Sequence, residues 1–541
     1  MNVVFIRPSN PSGSAYLTKF GFLPIPLGLL DLAGAMLTLE DSKVKIIDME
    51  ADRKMSVEET VEDTMKFDPD MVGMTIHATA AHHTSLRIAS KIKEMKPDTT
   101  IVAGGHQATF VPLDLLRGGF DVVVLGEGDR AIVEIAEAIR DRKNFREIPG
   151  ILFNERTGGK TEIVETRHRE LIPDLDTLPF PAYDLVDRSL YTFKTFGGDS
   201  VAAIETSRGC PYACDFCSVT PTWGNVWRNK SNERILEEMD IVRRLGYKWV
   251  FFVDDIFVVR PNVNRRMELF GSMIDRGYDD INWIVQMRAD VTAANPLLIR
   301  RGSDAGMRIA FMGIESGSQE ILKKLHKGIL TSQSVRAVQT LDENGVIVLL
   351  GMMLGAPYET LADMLTTIKF SYKLMEAGAD AVQFSIYTPL PGTRIFKDSL
   401  EKCKLFTLDW SRYDILTPVV ETKVNPAIIQ MLQMFGNHSF YILKWLRQKV
   451  GAGTMKSVDG VKKELMDRAQ KFLYEKLPYY FADTVAFPGQ LFSTMKAFLT
   501  GRENINWSDE RIRELLSYST KIVYQEKEGK NPYFLVREEG K

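Results

Sequence analysis

The chain has 541 residues but only four cysteines and seven histidines. Four cysteines are too few for a disulfide scaffold, and a chain of this length can bury a large core without one. Charge of one sign is also lacking, because 68 basic and 71 acidic residues are well mixed along the sequence. Nucleic-acid binding needs a clustered positive face, so we expect no nucleic-acid partner.

Long hydrophobic runs are absent as well. No uninterrupted apolar stretch reaches the roughly 18 residues that a membrane-spanning helix requires. The first residues, MNVVFIRPSN, lack the basic start and the long apolar centre of a signal peptide. These absences predict a cytoplasmic enzyme of several domains.

Three of the four cysteines nevertheless fall within eight residues, in the run TSRGCPYACDFCSVT. Cys210, Cys214 and Cys217 have the spacing C-x3-C-x2-C. A [4Fe-4S] cluster usually takes four thiolates, so three would leave one iron free to bind something else. A tetrahedral zinc site would need a distant fourth ligand, since the next cysteine is Cys403 and the nearest histidine is His168. The triad therefore predicts an iron-sulfur cluster.

The cysteine motif, with the aromatic Phe216 directly before its third cysteine, resembles that of the radical SAM enzymes. In that family the free iron binds S-adenosylmethionine (SAM), and an electron from the cluster cleaves it to a 5'-deoxyadenosyl radical. The resemblance therefore implies SAM as a second cofactor. It also implies a reductase partner such as a ferredoxin or a flavodoxin.

Residues 1–145 alternate buried strand runs with amphipathic helices, which predicts an α/β domain with a doubly wound parallel sheet. Ligands bind such sheets at the carboxyl ends of the strands. Glycine-rich segments stand at two of these ends, VAGGH and LGEGD. Glycine allows backbone to turn sharply there or to pass close to a planar ligand, and a generic flavodoxin-like domain would show the same turns.

Placed before the cysteine motif, this domain resembles the cobalamin-binding domain of B12-dependent radical SAM enzymes. The D-x-H-x-x-G motif of classical cobalamin modules is absent, so the resemblance implies a corrinoid held without that histidine. For His77 the alternative is a capping or solvated role at a helix start. The residues that the resemblance assigns to cobalamin are Thr75, His77, Gly104, Gly105, Gly126, Glu127 and Gly128.

Residues 146–195 lose the alternation of strand and helix patterns. They predict a linker with a β-hairpin around Gly158-Gly159, followed by a proline-rich stretch. Residues 196–420 resume the alternation with six strand runs, which predicts the partial (β/α)6 barrel of the radical SAM family. The cysteines would then follow the first barrel strand. The fourth cysteine, Cys403, is expected to be an ordinary thiol in a helical stretch.

Polar residues occur where the barrel strands stop, which is where (β/α) barrels place their active sites. We predict that SAM contacts Asp254, Gln286, Arg288, Glu315 and Ser316, and that Asp255 and Tyr387 act in catalysis. Structural alternatives stay open, and the GIESG segment that carries Glu315 and Ser316 can itself be structural. Arg288 can bridge loops, one of the adjacent aspartates can be paired within the protein, and Tyr387 can be a packing aromatic.

Residues 421–541 lose the strand alternation and become helical, aromatic and rich in methionine, which predicts a helical domain that closes the open barrel. The stripes of large apolar side chains admit core packing, an apolar substrate or peripheral membrane contact. The aromatic residues concerned are Trp445, Tyr479, Tyr480, Phe481 and Phe492.

The whole layout resembles cobalamin-dependent radical SAM C-methyltransferases, with the hopanoid methylase type closest. It implies that the adenosyl radical activates an unactivated carbon, which then takes a methyl group from methylcobalamin. The substrate is expected to be a small molecule, a lipid, or a peptide or protein. Two alternatives stay open: a radical cyclase or oxidative ring-forming enzyme on a tetrapyrrole or lipid, and a corrinoid-binding sensor or carrier with a structural cluster.

Overall fold

The computed structural model describes residues 1–10, 21–52, 55–449, 460–501 and 508–519, without the side chains of 448–449, 473–474, 476–484 and 519. The amino-terminal sheet has five parallel strands in the order β2-β1-β3-β4-β5. Their bounds are β1 Asn2–Arg7, β2 Lys43–Asp48, β3 Met71–Thr75, β4 Thr100–Gly104 and β5 Val122–Val124. The doubly wound domain is thus confirmed. Its strand order reverses between β1 and β3, where such folds open a ligand crevice.

Helices cover both faces of this sheet, which is why its strands are apolar throughout: Val3, Val4, Phe5 and Ile6 of β1 are all fully buried. The helix over Val57–Met65 begins with a reciprocal capping box between Ser56 and Glu59. The helices of this domain are α1 Leu27–Met36, α2 Val57–Met65, α3 His82–Met95, α4 His106–Phe110, α5 Pro112–Arg117 and α6 Asp129–Arg140.

The predicted hairpin is present, formed by β6 Ile151–Thr157 and β7 Lys160–Glu165. Its place in the linker is wrong, however, because β6 pairs antiparallel with β5 and the hairpin extends the amino-terminal sheet to seven strands. Without it, β5 would present an open edge of unpaired backbone groups. The chain then passes through short 3-10 turns to β8 Thr192–Phe193, at the border of the second sheet.

The second sheet carries the six predicted parallel strands in sequential order, which confirms the partial barrel. Two further strands form a separate antiparallel ribbon. The barrel strands are β9 Asp199–Ile204, β12 Trp249–Phe252, β13 Asn282–Met287, β14 Met307–Glu315, β15 Ile347–Leu354 and β16 Ala381–Ile386, and the ribbon strands are β10 Ser207–Gly209 and β11 Trp227–Asn229.

Helices lie between the barrel strands, and three more follow the last strand. Those of the barrel are α7 Val219–Trp223, α8 Asn232–Arg244, α9 Val263–Asp275, α10 Ala289–Ala294, α11 Pro296–Asp304, α12 Gln319–Lys324, α13 Thr331–Glu343, α14 Leu361–Glu376 and α15 Arg394–Glu401. The last three are α16 Pro426–Lys449, α17 Val461–Thr500 and α18 Asp509–Ser519.

The helix α16 packs along β16, the last strand of the open barrel, and its side chains pair with the outward backbone groups of that strand. Tyr441 Oη contacts Val382 N and O at 3.3 and 3.1 Å. Asn437 Oδ1 accepts from Phe384 N at 3.0 Å, and Gln433 Nε2 donates to Phe384 O at 2.9 Å. Four helical residues rise about 6 Å and two strand residues about 6.6 Å, so one helix face matches the strand in register.

The carboxyl-terminal domain is helical in the part of the chain that the structure describes. Within these residues no helix is long and apolar enough to cross a membrane. Trp445 and Phe492 are 44% and 72% exposed, whereas the side chains of Tyr479, Tyr480 and Phe481 lie outside the described residues. Cys403 is half-buried but not helical, because α15 ends at Glu401 and Cys403 adopts a left-handed conformation with φ 49°.

Candidate active site

The three clustered cysteines lie on a loop carried by the β10–β11 ribbon, directly after the first barrel strand. Gly209 precedes Cys210 with φ +92°, and a Cβ there would stand 2.2 Å from the carbonyl oxygen of Val226 on the returning chain. Only glycine fits so close an approach in the left-handed region. The sequence RGC thus closes the base of the loop.

All three thiols are half-buried and reduced. Burial raises the pKa of Cys210 to about 11 and that of Cys217 to about 12. No three His, Cys, Asp or Glu side chains of the described residues converge on one metal-ion position. A cubic cluster presents its irons at separate corners, so its thiolates need not converge on a point, and a triad on one short loop fits it better than a single zinc ion.

Asp215, between the second and third cysteines, ties the loop to two barrel helices. Its carboxylate lies 2.8 Å from His326 Nδ1 and 3.5 Å from the guanidinium of Arg394. Its backbone N–H donates to Leu325 O at 3.3 Å, and its carbonyl accepts from Ile395 N at 3.4 Å. The outer side of the cysteine loop is therefore held by the ends of α12 and α15.

Arg288, which we predicted to contact SAM, instead holds the inner side of the cysteine loop. Its guanidinium stacks on the ring of Tyr212 at 3.6 Å. Nε donates to Asp290 at 3.0 Å and Nη2 donates to Lys327 O at 2.8 Å. A buried cation needs such partners, and they leave few of its donors for a ligand. The loop-bridging alternative thus describes Arg288 best.

Glu315 ends β14 in a strained conformation, with φ +65° and a shift of the sheet register at Gly313. Its Oε1 accepts a 2.7 Å bond from Lys327 Nζ. Burial works against the charge of Lys327, but Glu315 raises the pKa of that lysine above its usual value. The Glu315 side chain is partly exposed, so it remains available to a cationic or hydroxylated ligand.

The adjacent aspartates after β12 have different environments. Asp254 is 1% exposed, and its Oδ1 accepts bonds from Thr206 and Ser207, which favours the alternative of pairing within the protein, and its contact with a cofactor stays a prediction. Asp255 is exposed to solvent, although protein atoms lie around its carboxylate. The carboxylate accepts a hydrogen bond from Gly209 N at 3.1 Å. Burial raises the pKa of Asp255 to about 7. One carboxylate is thus buried and paired within the protein, whereas the other is exposed close to Cys210.

Two further predicted residues at the strand ends are buried, and their roles stay predictions. Ser316 is fully buried and shares hydrogen bonds with Thr367 Oγ1 and Ser318 N, which shape the turn after β14. Tyr387 is 3% exposed and packs in an apolar cluster with residues such as Phe396 and Trp410, which favours the alternative of a packing aromatic. Gln286 is half-buried at the end of β13, and its SAM contact stays a prediction.

On the amino-terminal sheet, the ends of β3 and β4 border open space. No atom lies within 4 Å of the position that a Cβ on Gly104 would take. Gly105 has φ +95°, and a Cβ there would stand 3.1 Å from His77 N. The surface of His77 is exposed to solvent, but protein atoms lie around its imidazole. The resulting loss of solvation lowers the pKa of His77. With Thr75 half-buried beside them, these residues fit a flat ligand at the crevice.

The loop after β5 contacts the cysteine ribbon. Glu127 is buried and accepts hydrogen bonds from Arg208 and Arg228 of that ribbon at 2.8 and 2.9 Å, so its carboxylate is paired within the protein and its contact with cobalamin stays a prediction. Gly126 N donates to Thr109 Oγ1 at 3.2 Å, and Gly128 stands at the start of α6. Cobalamin contacts by these two glycines stay predictions.

His106 joins the two sheets at the same ends. Its Nε2 lies 2.9 Å from Pro391 O, which only accepts, so Nε2 carries the proton. Its Nδ1 lies 3.5 Å from Thr222 Oγ1 and can accept from that hydroxyl. Burial, and then the proximity of His77, lowers the pKa of His106 to about 3, which keeps the imidazole neutral. The carboxyl ends of both sheets therefore face each other.

Comparison with protein families matches residues 13–136 to the B12 binding domain and residues 204–371 to the Radical SAM superfamily. A protein of Pyrococcus horikoshii named as an uncharacterised methyltransferase is 32% identical over 455 residues, which are 83% of this chain and 94% of that protein. The chain belongs to the cobalamin-dependent radical SAM enzymes. The predicted cofactors, a [4Fe-4S] cluster, SAM and cobalamin, are thereby confirmed, and the chain is a radical SAM methyltransferase.

Three further matches have lower sequence identity. The hopanoid C-3 methylase of Methylococcus capsulatus is 28% identical over 420 residues, 77% of this chain and 76% of that protein. Among solved structures, the fold is similar to the cobalamin-dependent radical enzyme OxsB, with a TM-score of 0.64 at 15% identity over 96% of this chain and 84% of that one. It is also similar to the methyltransferase TsrM of Kitasatospora setae, with a TM-score of 0.58 at 18% identity over 74% and 75% of the two chains.

Proposed function

We propose that this enzyme transfers a methyl group from a corrinoid to an unactivated carbon of its substrate. The observation that supports this most is the facing arrangement of the two sheets, with the cysteine loop on one side and the open ends of β3 and β4 on the other. When bound, SAM on the cluster supplies a carbon radical and the corrinoid supplies the methyl group. A substrate between the sheets would meet both.

The residues of the chain position these groups. Cys210, Cys214 and Cys217 would hold the cluster, and Glu315 would face the SAM bound to it. Gly104, Gly105, Thr75 and His77 would bound the corrinoid face. The neutral His106 closes the space between the sheets and helps to exclude water from a reactive radical.

The test is product analysis with SAM carrying a deuterated methyl group. Candidate small molecules, lipids and peptides are incubated anaerobically with the reconstituted enzyme and a ferredoxin or flavodoxin as reductant. We expect a product heavier by one labelled methyl in place of one hydrogen. A product that has lost two hydrogens and carries no label would contradict methyl transfer.

That second outcome describes the alternative function, a radical cyclase. It deserves a place because the anaerobic magnesium-protoporphyrin IX monomethyl ester cyclase of Cereibacter sphaeroides is 26% identical over 435 residues, 78% of this chain and 67% of that protein. A tetrapyrrole therefore belongs among the candidate substrates. A sensor with a structural cluster would form no 5'-deoxyadenosine, and the Cys210→Ala/Cys214→Ala/Cys217→Ala variant is the matched control for that product.

We further propose that the enzyme acts in the cytoplasm, where reducing conditions protect an exposed cluster. Peripheral membrane contact is supported by the exposed aromatic side chains of Trp445 and Phe492 on α16 and α17. Flotation with vesicles of neutral and anionic phospholipid tests it, and a Phe492→Ser variant should bind less. If neither the wild type nor the variant floats with the vesicles, membrane contact is contradicted.

A further inference from the structure

The Glu127 carboxylate is where the corrinoid-binding sheet and the cysteine ribbon are joined most directly. Its Oε1 accepts from Arg208 Nη1 at 2.8 Å and from Arg228 Nη1 at 2.9 Å, and its Oε2 accepts from Ile172 N at 2.8 Å. The side chain of Glu127 is fully buried, and those of both arginines are at least nine-tenths buried. Because the three side chains are buried, water cannot replace the hydrogen bonds of this contact.

The two arginines occupy one register position of the ribbon. Arg208 on β10 pairs directly with Arg228 on β11, and the seventeen residues between the strands include all three cysteines. A single carboxylate therefore grips both strands at the base of the cluster loop. The two strands are paired with each other and already in close contact at Gly209, so a displacement of Glu127 would move the loop as a unit.

The other end of the contact is equally constrained. Glu127 stands between Gly126 and Gly128 in the loop after β5, and Gly126 is tied by Thr109 Oγ1 to α4, the helix that begins at His106. That helix follows Gly104 and Gly105 without a break, so the loop of Glu127 and the open end of β4 belong to one rigid corner of the sheet.

The two arginines depend on the charge of Glu127 to different extents. Arg208 also pairs with Asp129 and Glu205, so it would keep two carboxylates if Glu127 were removed. Arg228 has Glu127 as its one carboxylate partner in the described chain, and its Nε and Nη2 have no hydrogen-bond acceptor there. Loss of Glu127 would leave a buried cation uncompensated on β11, which distorts the ribbon rather than merely loosening it.

We propose that Glu127 is a positioning residue that couples the corrinoid site to the cluster loop, so that each cofactor binds more tightly when the other is present. The inference rests on the proposed function only in taking a corrinoid as the ligand of the first sheet. Coupling between two sites is reciprocal, and where it exists it typically changes the affinity at each site by about 5- to 150-fold.

The experiment measures binding of hydroxocobalamin to the full chain by equilibrium dialysis, with and without the reconstituted cluster. The cluster-free form is the protein before reconstitution. In the wild type we expect the cluster to tighten cobalamin binding by at least about fivefold. In Glu127→Gln, which keeps an acceptor for Ile172 N but loses the charge, the ratio of the two dissociation constants should fall to about one, with iron content and Tm recorded for each protein.

Glu238→Gln is the matched control. Glu238 is also fully buried and also pairs with two cations, Lys230 and Arg234, but all three belong to the barrel domain. It should lose thermal stability and keep the wild-type ratio. If Glu127→Gln fails to fold, Arg228→Gln removes the same contact from the barrel side and should likewise bring the ratio to about one.

Each outcome separates the two proposals. An unchanged ratio in a folded Glu127→Gln protein would overturn the coupling and leave the proposed function intact. A loss of the ratio in Glu238→Gln as well would show that general packing, and not Glu127, links the sites. Failure of wild-type protein to bind cobalamin at all would overturn both, since the first sheet would then have another ligand.

Discussion

The guanidinium of Arg288 lies 3.6 Å from the ring centroid of Tyr212, two residues after the first cysteine of the cluster loop. Its Nε is paired with Asp290, and its Nη2 bonds to the carbonyl of Lys327. One side chain thus joins the cysteine loop to the segments that follow β13 and α12. The inner side of the loop is therefore held in place by a side chain of the barrel.

We predict that Arg288→Lys weakens retention of the cluster. Lysine keeps the charge but cannot stack as a planar group while donating in two directions. Loss of the stacking contact alone is worth about 1–2 kcal/mol at a buried site. The measurement is the rate at which the visible absorbance of the reconstituted cluster decays on mild warming, which should rise several-fold.

Arg260→Lys is the control for that variant. Arg260 also reaches Asp290, at 3.4 Å, but its side chain is 69% exposed. An exposed pair contributes about 0–1 kcal/mol, so cluster decay should be unchanged. Equal effects from both lysine variants would mean that Asp290, rather than the Tyr212 stack, determines the retention of the cluster.

Gly209→Ala should prevent cluster assembly. The added Cβ would stand 2.2 Å from Val226 O in a left-handed conformation, so the two ribbon strands would have to separate. Gly198→Ala introduces the same kind of strain, φ +84°, into open space, and should cost only about 1–3 kcal/mol. Iron and sulfide per chain after reconstitution distinguish the two, and normal iron content in Gly209→Ala would contradict the prediction.

Glu359 gives the stability a pH dependence. Its Oε2 accepts from Gly355 N and Ala356 N, but it is 1% exposed, and burial raises its pKa from 4.5 to about 7. The folded chain therefore holds a proton that the unfolded chain releases between these values. This stabilisation is complete below pH 4.5 and is lost as the pH rises towards 7, by at most about 3 kcal/mol.

The comparison with Glu359→Gln measures that effect. Glutamine can accept the same two backbone bonds without a charge. The Tm of the wild type should fall relative to the variant between pH 5 and pH 8, and the difference should level off above the pKa of Glu359. A constant difference across this range would show that the carboxyl group titrates normally.

Much of the fold could be predicted from the sequence because its strands are buried on both faces. Continuous runs such as those in β1 and β15 have one interpretation in an alternating α/β chain. The hairpin was recognisable from Gly158-Gly159, but its partner was not, because an antiparallel edge pairing leaves no mark on the local pattern. The cysteine spacing could identify the cluster loop because the three predicted ligands lie within eight residues of one another.

The site beyond the cysteines could be predicted only in part. Asp254 and Asp255 are neighbours with the same side chain, and only the positions of Thr206 and Ser207 decide which one is buried. Lys327 carries no motif that indicates its bond to Glu315. Arg208, beside the first cysteine, was the one detectable signal, since a charged residue next to a buried loop needs a partner.

The contact between α16 and β16 can be tested at Gly436 and Asn437. A Cβ on Gly436 would stand 2.9 Å from the ring of Phe384, and Asn437→Ala would leave the Phe384 N–H without its acceptor. An unsatisfied buried group costs about 1–3 kcal/mol. Both variants should speed hydrogen exchange at the Phe384 amide, whereas the exposed Phe435→Ala, on the same helix, should not. Unchanged exchange in Gly436→Ala would contradict a tight fit.

The helix along β16 also bears on how the open barrel avoids aggregation. An open sheet normally ends in a row of free backbone donors and acceptors that another chain can extend into a longer sheet. The helix covers part of that row with side chains, and the backbone groups inside a helix bond to one another, so its surface offers no edge that a strand could extend. This edge of the barrel sheet is thereby protected from edge-to-edge aggregation with another chain.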